Sequence, residues 1–282
     1  MRFDAVIFDI DNVLVDTRAS YTDSIRKTVQ TYLETILKFK PSRKPLLTHA
    51  EIERFKSLGG FNDDWDTCYG LLLYFLSLPV KTRSITELEK RKNIAGFSKS
   101  VKTRPLGIKG LEKIAGSNKS VSLLRIADIF QRFYLGGFVW NEKLLIPKNF
   151  LKRMKRAGLK LGIVTGRNRE EAMLALRRFQ IDGLMDAITT IDETPKNRKK
   201  PDPYGLLKAA KILGENLRFL YVGDLPDDIL AARAAKKKIK IRSCGFLAGA
   251  VSPNEMTREL RKAKADYLCK NTGGLKKIVF KS

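Results

Sequence analysis

The chain has 282 residues, with 55 Lys and Arg against 30 Asp and Glu, and a formal net charge of +25. At roughly 150 residues per domain this length predicts about two domains, and 43 % hydrophobic residues are enough for a packed core, which excludes a wholly disordered chain. One histidine, His49, and three scattered cysteines, Cys68, Cys244 and Cys269, argue against a Ser-His-Asp hydrolase, a multi-histidine metal centre and a disulfide framework. Any metal is therefore expected on oxygen ligands.

Residues 3–8 read as a short buried strand that stops at Asp9. Beyond Asp16, Ile25, Val29, Tyr32, Leu33 and Ile36 recur at spacings of three and four, as on a helix with one buried face. Thr48-His49-Ala50-Glu51 has the capping-box pattern and opens a further helix. Residues 64–78 are an apolar helix candidate, 95–120 read as loops with short helices, and 121–134 return to helical periodicity. No strand is expected between about 17 and 140. Then strands at 159–164, 186–191, 218–222, 239–243 and 265–269 alternate with helices at 168–179, 203–213, 226–235 and 254–263. That alternation predicts a mainly parallel sheet covered on both faces, with strand 3–8 belonging to it. The expected fold class is α/β: residues 1–16 and 136–282 form the sheet domain, and 17–135 form an inserted all-helical domain.

Ligands of open α/β sheets bind beyond the carboxyl ends of the strands. Four polar clusters fall there: Asp9-Ile10-Asp11-Asn12 with Asp16, Thr165-Gly166-Arg167, Lys199-Lys200-Pro201-Asp202, and Gly223-Asp224 with Asp227-Asp228. Asp9, Asp11 and Asp224 would crowd together, and crowded carboxylates stay ionised only beside a compensating cation. Oxygen ligands without histidine favour Mg²⁺. A carboxylate beside that ion can attack phosphorus while the metal and a lysine neutralise the transferring oxygens. Ordinary turn chemistry accounts for any one of the clusters, but not for all four in order.

This set resembles the motifs of the haloacid dehalogenase superfamily: a hydrophobic strand ending DxDxxxxD, a strand ending in Thr or Ser, a lysine, and a strand ending GDxxxD. The resemblance covers the whole chain and implies a Rossmann-like three-layer core with a helical cap. It implies that Asp9 is a nucleophile that becomes an aspartyl-phosphate, and that Asp11 is the general acid and then base. Thr165, Gly166 and Lys200 would contact the phosphoryl group, with Lys199 the less favoured substitute for Lys200. Mg²⁺ would be held by Asp9, the main-chain carbonyl of Asp11, Asp224 and Asp228, with Asp227 the rival of Asp228. Asn12 stands where the family usually has Gly, at a turn that often needs the left-handed backbone, which Asn tolerates. Arg167 reads either as a phosphate contact or as an exposed helix-start residue.

Only about 35 positions separate Thr165 from Lys200, too few for a second α/β cap, so the cap is the helical kind of phosphoglycolate phosphatase and β-phosphoglucomutase relatives. Within it Gly59-Gly60-Phe61-Asn62-Asp63 resembles a substrate-specificity loop, with Gly60, Phe61, Asn62 and Asp63 toward substrate. The same run reads equally as a turn in which Asn62 or Asp63 caps the next helix. His49, in its capping box, reads as a surface or cap-packing residue rather than a catalyst.

The expected function is Mg²⁺-dependent hydrolysis of a small phosphorylated metabolite. A phosphoglucomutase-like transferase and a nucleic-acid or polyanion-binding protein, the latter prompted by the charge, are the alternatives. With no signal-peptide pattern and no apolar stretch long enough to span a bilayer, a cytoplasmic protein away from the membrane is expected. The sequence does not set the oligomeric state, monomer or dimer.

Overall fold

The computed structural model describes residues 3–280. The chain begins with β1 (Ala5–Phe8) and β2 (Val15–Asp16). Helices α1 (Asp23–Thr31), α2 (His49–Lys56), α3 (Asp64–Leu76), α4 (Ile85–Arg91), α5 (Ile94–Ser100), α6 (Gly107–Ala115) and α7 (Leu123–Leu135) follow. Strand β3 (Lys143–Leu144) and helix α8 (Lys148–Arg156) return the chain to the alternating pattern. That pattern runs β4 (Lys160–Val164), α9 (Arg169–Arg178), β5 (Ala187–Thr189), α10 (Tyr204–Leu213), β6 (Arg218–Gly223), α11 (Pro226–Ala235), β7 (Lys240–Phe246), α12 (Pro253–Lys262), β8 (Tyr267–Cys269) and α13 (Thr272–Phe280). Two units result: Met1–Asp16 with Lys143–Ser282, and Thr17–Glu142.

The first unit holds a six-stranded sheet in the order β5-β4-β1-β6-β7-β8, with every pair parallel. β1 sits centrally, Ala5 opposite Lys160 of β4 on one side and Phe219 of β6 on the other. Because strand side chains alternate between faces, Val6, Phe8, Leu220 and Val222 join one core with Leu151 and Met154 of α8, Leu176 of α9 and Val279 of α13. Ala5, Ile7, Phe219 and Tyr221 join the other, against Leu206 and Leu213 of α10 and Ala231 and Ala235 of α11. Both faces are buried, which is why the strands read as continuous apolar runs. The fold is therefore a three-layer α/β sandwich with a parallel sheet, the class expected from the alternation.

A two-residue antiparallel ladder was not expected: Val15 pairs with Leu144 and Asp16 with Lys143, where the chain leaves and re-enters this unit.

The second unit is helical, as its periodicity requires. Thr48 and Glu51 form a reciprocal capping box at the start of α2, and His49 Nε2 meets Asp23 Oδ1 at 2.8 Å. Aromatic pairs fill the interior: Tyr21 with Tyr134 at 4.3 Å and Phe55 with Phe61 at 4.8 Å between centroids. This unit ends at Glu142, later than residue 135. The reason is local: buried Glu142 accepts hydrogen bonds from Ser20 Oγ and Tyr134 Oη, both within it. No helix among the described residues is long and apolar enough to cross a membrane.

Candidate active site

The central strands deliver their polar residues to one end of the sheet. β1 ends at Phe8, and the Asp9 N–H stays in the sheet by donating to the Val222 carbonyl at 2.9 Å. The chain then turns at once: Asn12 N–H donates to the Val15 carbonyl at 2.7 Å, and Asn12 takes a φ of 54°. Asparagine thus occupies the left-handed conformation usually left to glycine. β4 ends before Thr165, whose N–H donates to the Thr189 carbonyl at 3.1 Å. β6 ends at Gly223, followed by Asp224 and by α11 with Pro226 in its first turn.

Asp9, Asp224 and Asp228 offer carboxylate oxygens that all lie within 4.8 Å of one another, and all three residues are buried. Lys200 reaches into the same place. Its Nζ lies 3.1 Å from Asp9 Oδ1 and 2.8 Å from Asp228 Oδ1. Burial pushes the Asp9 carboxyl up to about 7, the Asp228 and Asp11 charges add to the rise, and Lys200 opposes it. Burial alone would lower the Lys200 ammonium, but the charges of Asp228 and Asp9 overcome this and hold it well above its ordinary range.

Asp228 is held by two hydrogen bonds and one ion pair. Tyr221 Oη and Lys200 Nζ both meet Oδ1 at 2.8 Å, and the Leu225 N–H donates to Oδ2 at 3.0 Å. Burial, followed by the Asp228 charge, raises the Tyr221 phenol well above its ordinary value, so it acts as a donor. Gly223 is required beside them, because a Cβ there would stand 2.3 Å from Asp228 Cβ. Asp227 is also buried, but among the described residues Asp228 is the one grouped with Asp9 and Asp224. Tyr221 was not singled out by the sequence, where it reads as one more core residue of an apolar strand.

Asp11 is not grouped with these three carboxylates, and its side chain is engaged by Arg167. Its Oδ1 accepts Arg167 Nε at 3.0 Å and Nη2 at 2.8 Å. Arg167 is buried, so the reading of it as an exposed helix-start residue is corrected, and its side chain is hydrogen-bonded to the Asp11 carboxylate. Thr165 Oγ1 accepts the Arg167 N–H at 3.2 Å, and Gly166 lies half-buried between them.

In the helical unit the run Gly60-Phe61-Asn62-Asp63 has structural work. Phe61 was expected to face substrate, but it is fully buried against Phe55 and cannot do so. Asp63 caps α3, accepting from the Trp65 and Asp66 N–H groups at 2.9 and 3.3 Å. Gly60, with φ +78°, passes so close to Gly107 that a Cβ would lie 2.7 Å from its Cα. Asn62 stays half-exposed.

The donor set suits a hard cation. Three buried carboxylates face one ammonium in a site of oxygen ligands, so negative charge is in excess and one divalent ion would balance it.

A family model of haloacid dehalogenase-like hydrolases matches residues 3–236. Pyrophosphatase PpaX of Halalkalibacterium halodurans is 36 % identical over 133 residues, which are 45 % of this chain and 61 % of that protein. Imidazoleglycerol-phosphate dehydratase of Phytophthora nicotianae is 25 % identical over 238 residues, which are 82 % of this chain and 41 % of that protein. The chain thus spans 41 to 61 % of the length of these curated relatives. The crystal structure of a hydrolase from Pseudomonas syringae shares the fold with a TM-score of 0.61 at 20 % identity, covering 96 % of this chain and 95 % of that one. With the carboxylates and Lys200 gathered at the strand ends and the family match running from β1 through α11, the chain belongs to the haloacid dehalogenase-like hydrolases.

Proposed function

We propose that this protein is a Mg²⁺-dependent phosphatase of a small phosphorylated metabolite, working through a phosphoryl-Asp9 intermediate. The observation that carries the reading is Lys200 Nζ lying between Asp9 Oδ1 and Asp228 Oδ1 at 3.1 and 2.8 Å, beside Asp224. Asp9, Asp224 and Asp228, with the Asp11 carbonyl, would hold the ion, and Mg²⁺ when bound supplies charge for the transferring phosphoryl oxygens. Asp9 attacks phosphorus as the bond to the leaving oxygen breaks. Asp11 gives that oxygen a proton, then takes one from the water that attacks phosphorus and releases Asp9. Lys200 offsets the charge of Asp9 and the phosphoryl group, and Thr165 Oγ1 and the Gly166 backbone hold the phosphoryl oxygens.

The pyrophosphatase relative puts phosphoanhydrides in the trial set beside sugar phosphates, phosphoglycolate and nucleotides. Phosphate release is assayed across that set with Mg²⁺ and with EDTA. Release from one substrate class, lost with EDTA, is the expected result. No release from any, by folded protein, would contradict the reading.

A second reading, polyanion contact, rests on a separate observation. A pocket of about 690 Å³ at the amino ends of β6 and β7 is lined by Arg218, Lys236, Lys237, Lys238, Lys240 and Arg242, with Glu215. Arg218 is tied to Asp4, and Lys236 and Arg242 to Asp266. Lys237, Lys238 and Lys240 are exposed and have no ion pair among the described residues. Oligonucleotide binding that weakens steeply with salt, and is lost in the triple Lys→Glu variant of these three, supports this reading. No binding at low salt removes it.

A further inference from the structure

Arg167 is fixed at every level the structure shows. Its N–H donates to Thr165 Oγ1 at 3.2 Å, and its carbonyl accepts the Ile191 N–H at 3.0 Å. Its side chain is 1 % exposed, against 23 % for Asp11. Two of its donors, Nε and Nη2, converge on a single oxygen, Asp11 Oδ1, at 3.0 and 2.8 Å. A guanidinium so placed is a rigid fork, and the planar carboxylate it grips loses rotation about its χ2 angle. Both contacts use Oδ1 and neither uses Oδ2.

We infer that Arg167 is a positioning residue for Asp11, fixing Oδ1 so that Oδ2 is the oxygen that exchanges protons with the reacting groups; this rests on the phosphatase reading above. In the first half-reaction the proton on Oδ2 passes to the bridging oxygen as its bond to phosphorus breaks. In the second, Oδ2 takes a proton from water as the water oxygen bonds to phosphorus and the Asp9–phosphorus bond breaks. Arg167 exchanges no proton and acts through orientation. A direct grip on the substrate phosphate would need these two donors aimed away from Asp11.

The test uses the full-length protein with Mg²⁺ and p-nitrophenyl phosphate, comparing wild type, Arg167→Ala, Arg167→Lys, Asp11→Asn and the double variant Asp11→Asn/Arg167→Ala. Misplacing a reacting group costs on the order of 100-fold, so Arg167→Ala is expected to lower kcat by about 10- to 100-fold with KM within about threefold. Arg167→Lys recovers part of it. In the Asp11→Asn background, removing Arg167 costs less than about threefold, because the two residues act as a unit. An equal loss in both backgrounds, or a rise in KM with kcat kept, overturns the inference. If Arg167→Ala melts below the assay temperature, the same cycle is run with Arg167→Lys and read by the same rule. Turnover by wild type with Arg167→Ala unimpaired overturns this inference alone. No turnover by wild type, of p-nitrophenyl phosphate or of any substrate in the trial set, overturns it together with the phosphatase reading.

Discussion

Tyr221 donates its hydroxyl to Asp228 Oδ1 at 2.8 Å, the same oxygen that Lys200 Nζ meets at 2.8 Å. A tyrosine inside the sheet thus fixes the carboxylate that in turn fixes the lysine beside Asp9. Supporting contacts of this kind typically carry about 10- to 100-fold in affinity or rate. Asp228→Asn, which alters a residue that would hold the ion, is expected to lower phosphatase activity by at least that factor and to raise the Mg²⁺ concentration needed for half-maximal rate. Tyr221→Phe removes one hydrogen bond to a carboxylate, worth about 1.5–3 kcal/mol, but leaves the Asp228–Lys200 ion pair, so its rate falls by less than that of Asp228→Asn. A Mg²⁺ titration of both variants checks the order; an Asp228→Asn enzyme with unchanged rate and Mg²⁺ demand would contradict it.

Phe61 belongs to the interior of the helical unit. Truncating a fully buried Phe costs about 3–5 kcal/mol through lost burial and the cavity left behind. Phe61→Ala should lower the melting temperature clearly, whereas Asn62→Ala, at a half-exposed position, should leave it within a degree or two. The opposite pattern, a stable Phe61→Ala protein with a raised KM, would restore Phe61 as a substrate contact.

Acid stability tests Asp266. Burial alone would raise its carboxyl, but hydrogen bonds from Lys236, the Ser243 N–H and Arg242 outweigh this and hold it at about 2. A pKa depressed on folding stabilises the protein above the unfolded value, near 4, and that contribution is lost as pH falls from about 4 through about 2. Allowing for partial exposure, the contribution at neutral pH is on the order of 1–2 kcal/mol. Asp266→Asn should melt below wild type at pH 7, with the gap closing as pH falls from about 4 to about 2. A gap independent of pH would contradict the assignment.

Much of this was legible in the sequence because it rests on local patterns. The alternation of strand and helix after residue 159 placed β4 through β8 within a few residues, and the turn residues after β1, β4 and β6 marked the site. The unread elements are those whose pattern is too short or too polar. β2 and β3 have two residues each, which carry no period. α8 reads KNFLKRMKR, where charges hide the buried Phe150, Leu151 and Met154. α4 and the terminal α13 have only two buried positions apiece. Phe61 and Gly60 show the converse limit. A glycine pair before an aromatic looks like a ligand loop, yet one serves a close backbone approach and the other fills a core. The pairing of Arg167 with Asp11 joins residues 156 positions apart, and only the parallel pairing of β1 with β4 reveals it.

The central claim is that Asp9 carries the phosphoryl group. The most direct measurement is a millisecond acid quench of the protein with a ³²P-labelled substrate from the trial set in Mg²⁺, followed by hydroxylamine treatment and peptide mapping. The account predicts protein-bound label on the peptide containing Asp9, released by hydroxylamine as an acyl phosphate would be, and absent in Asp9→Asn. Turnover without label on that peptide, or with Asp9→Asn as active as wild type, would contradict it.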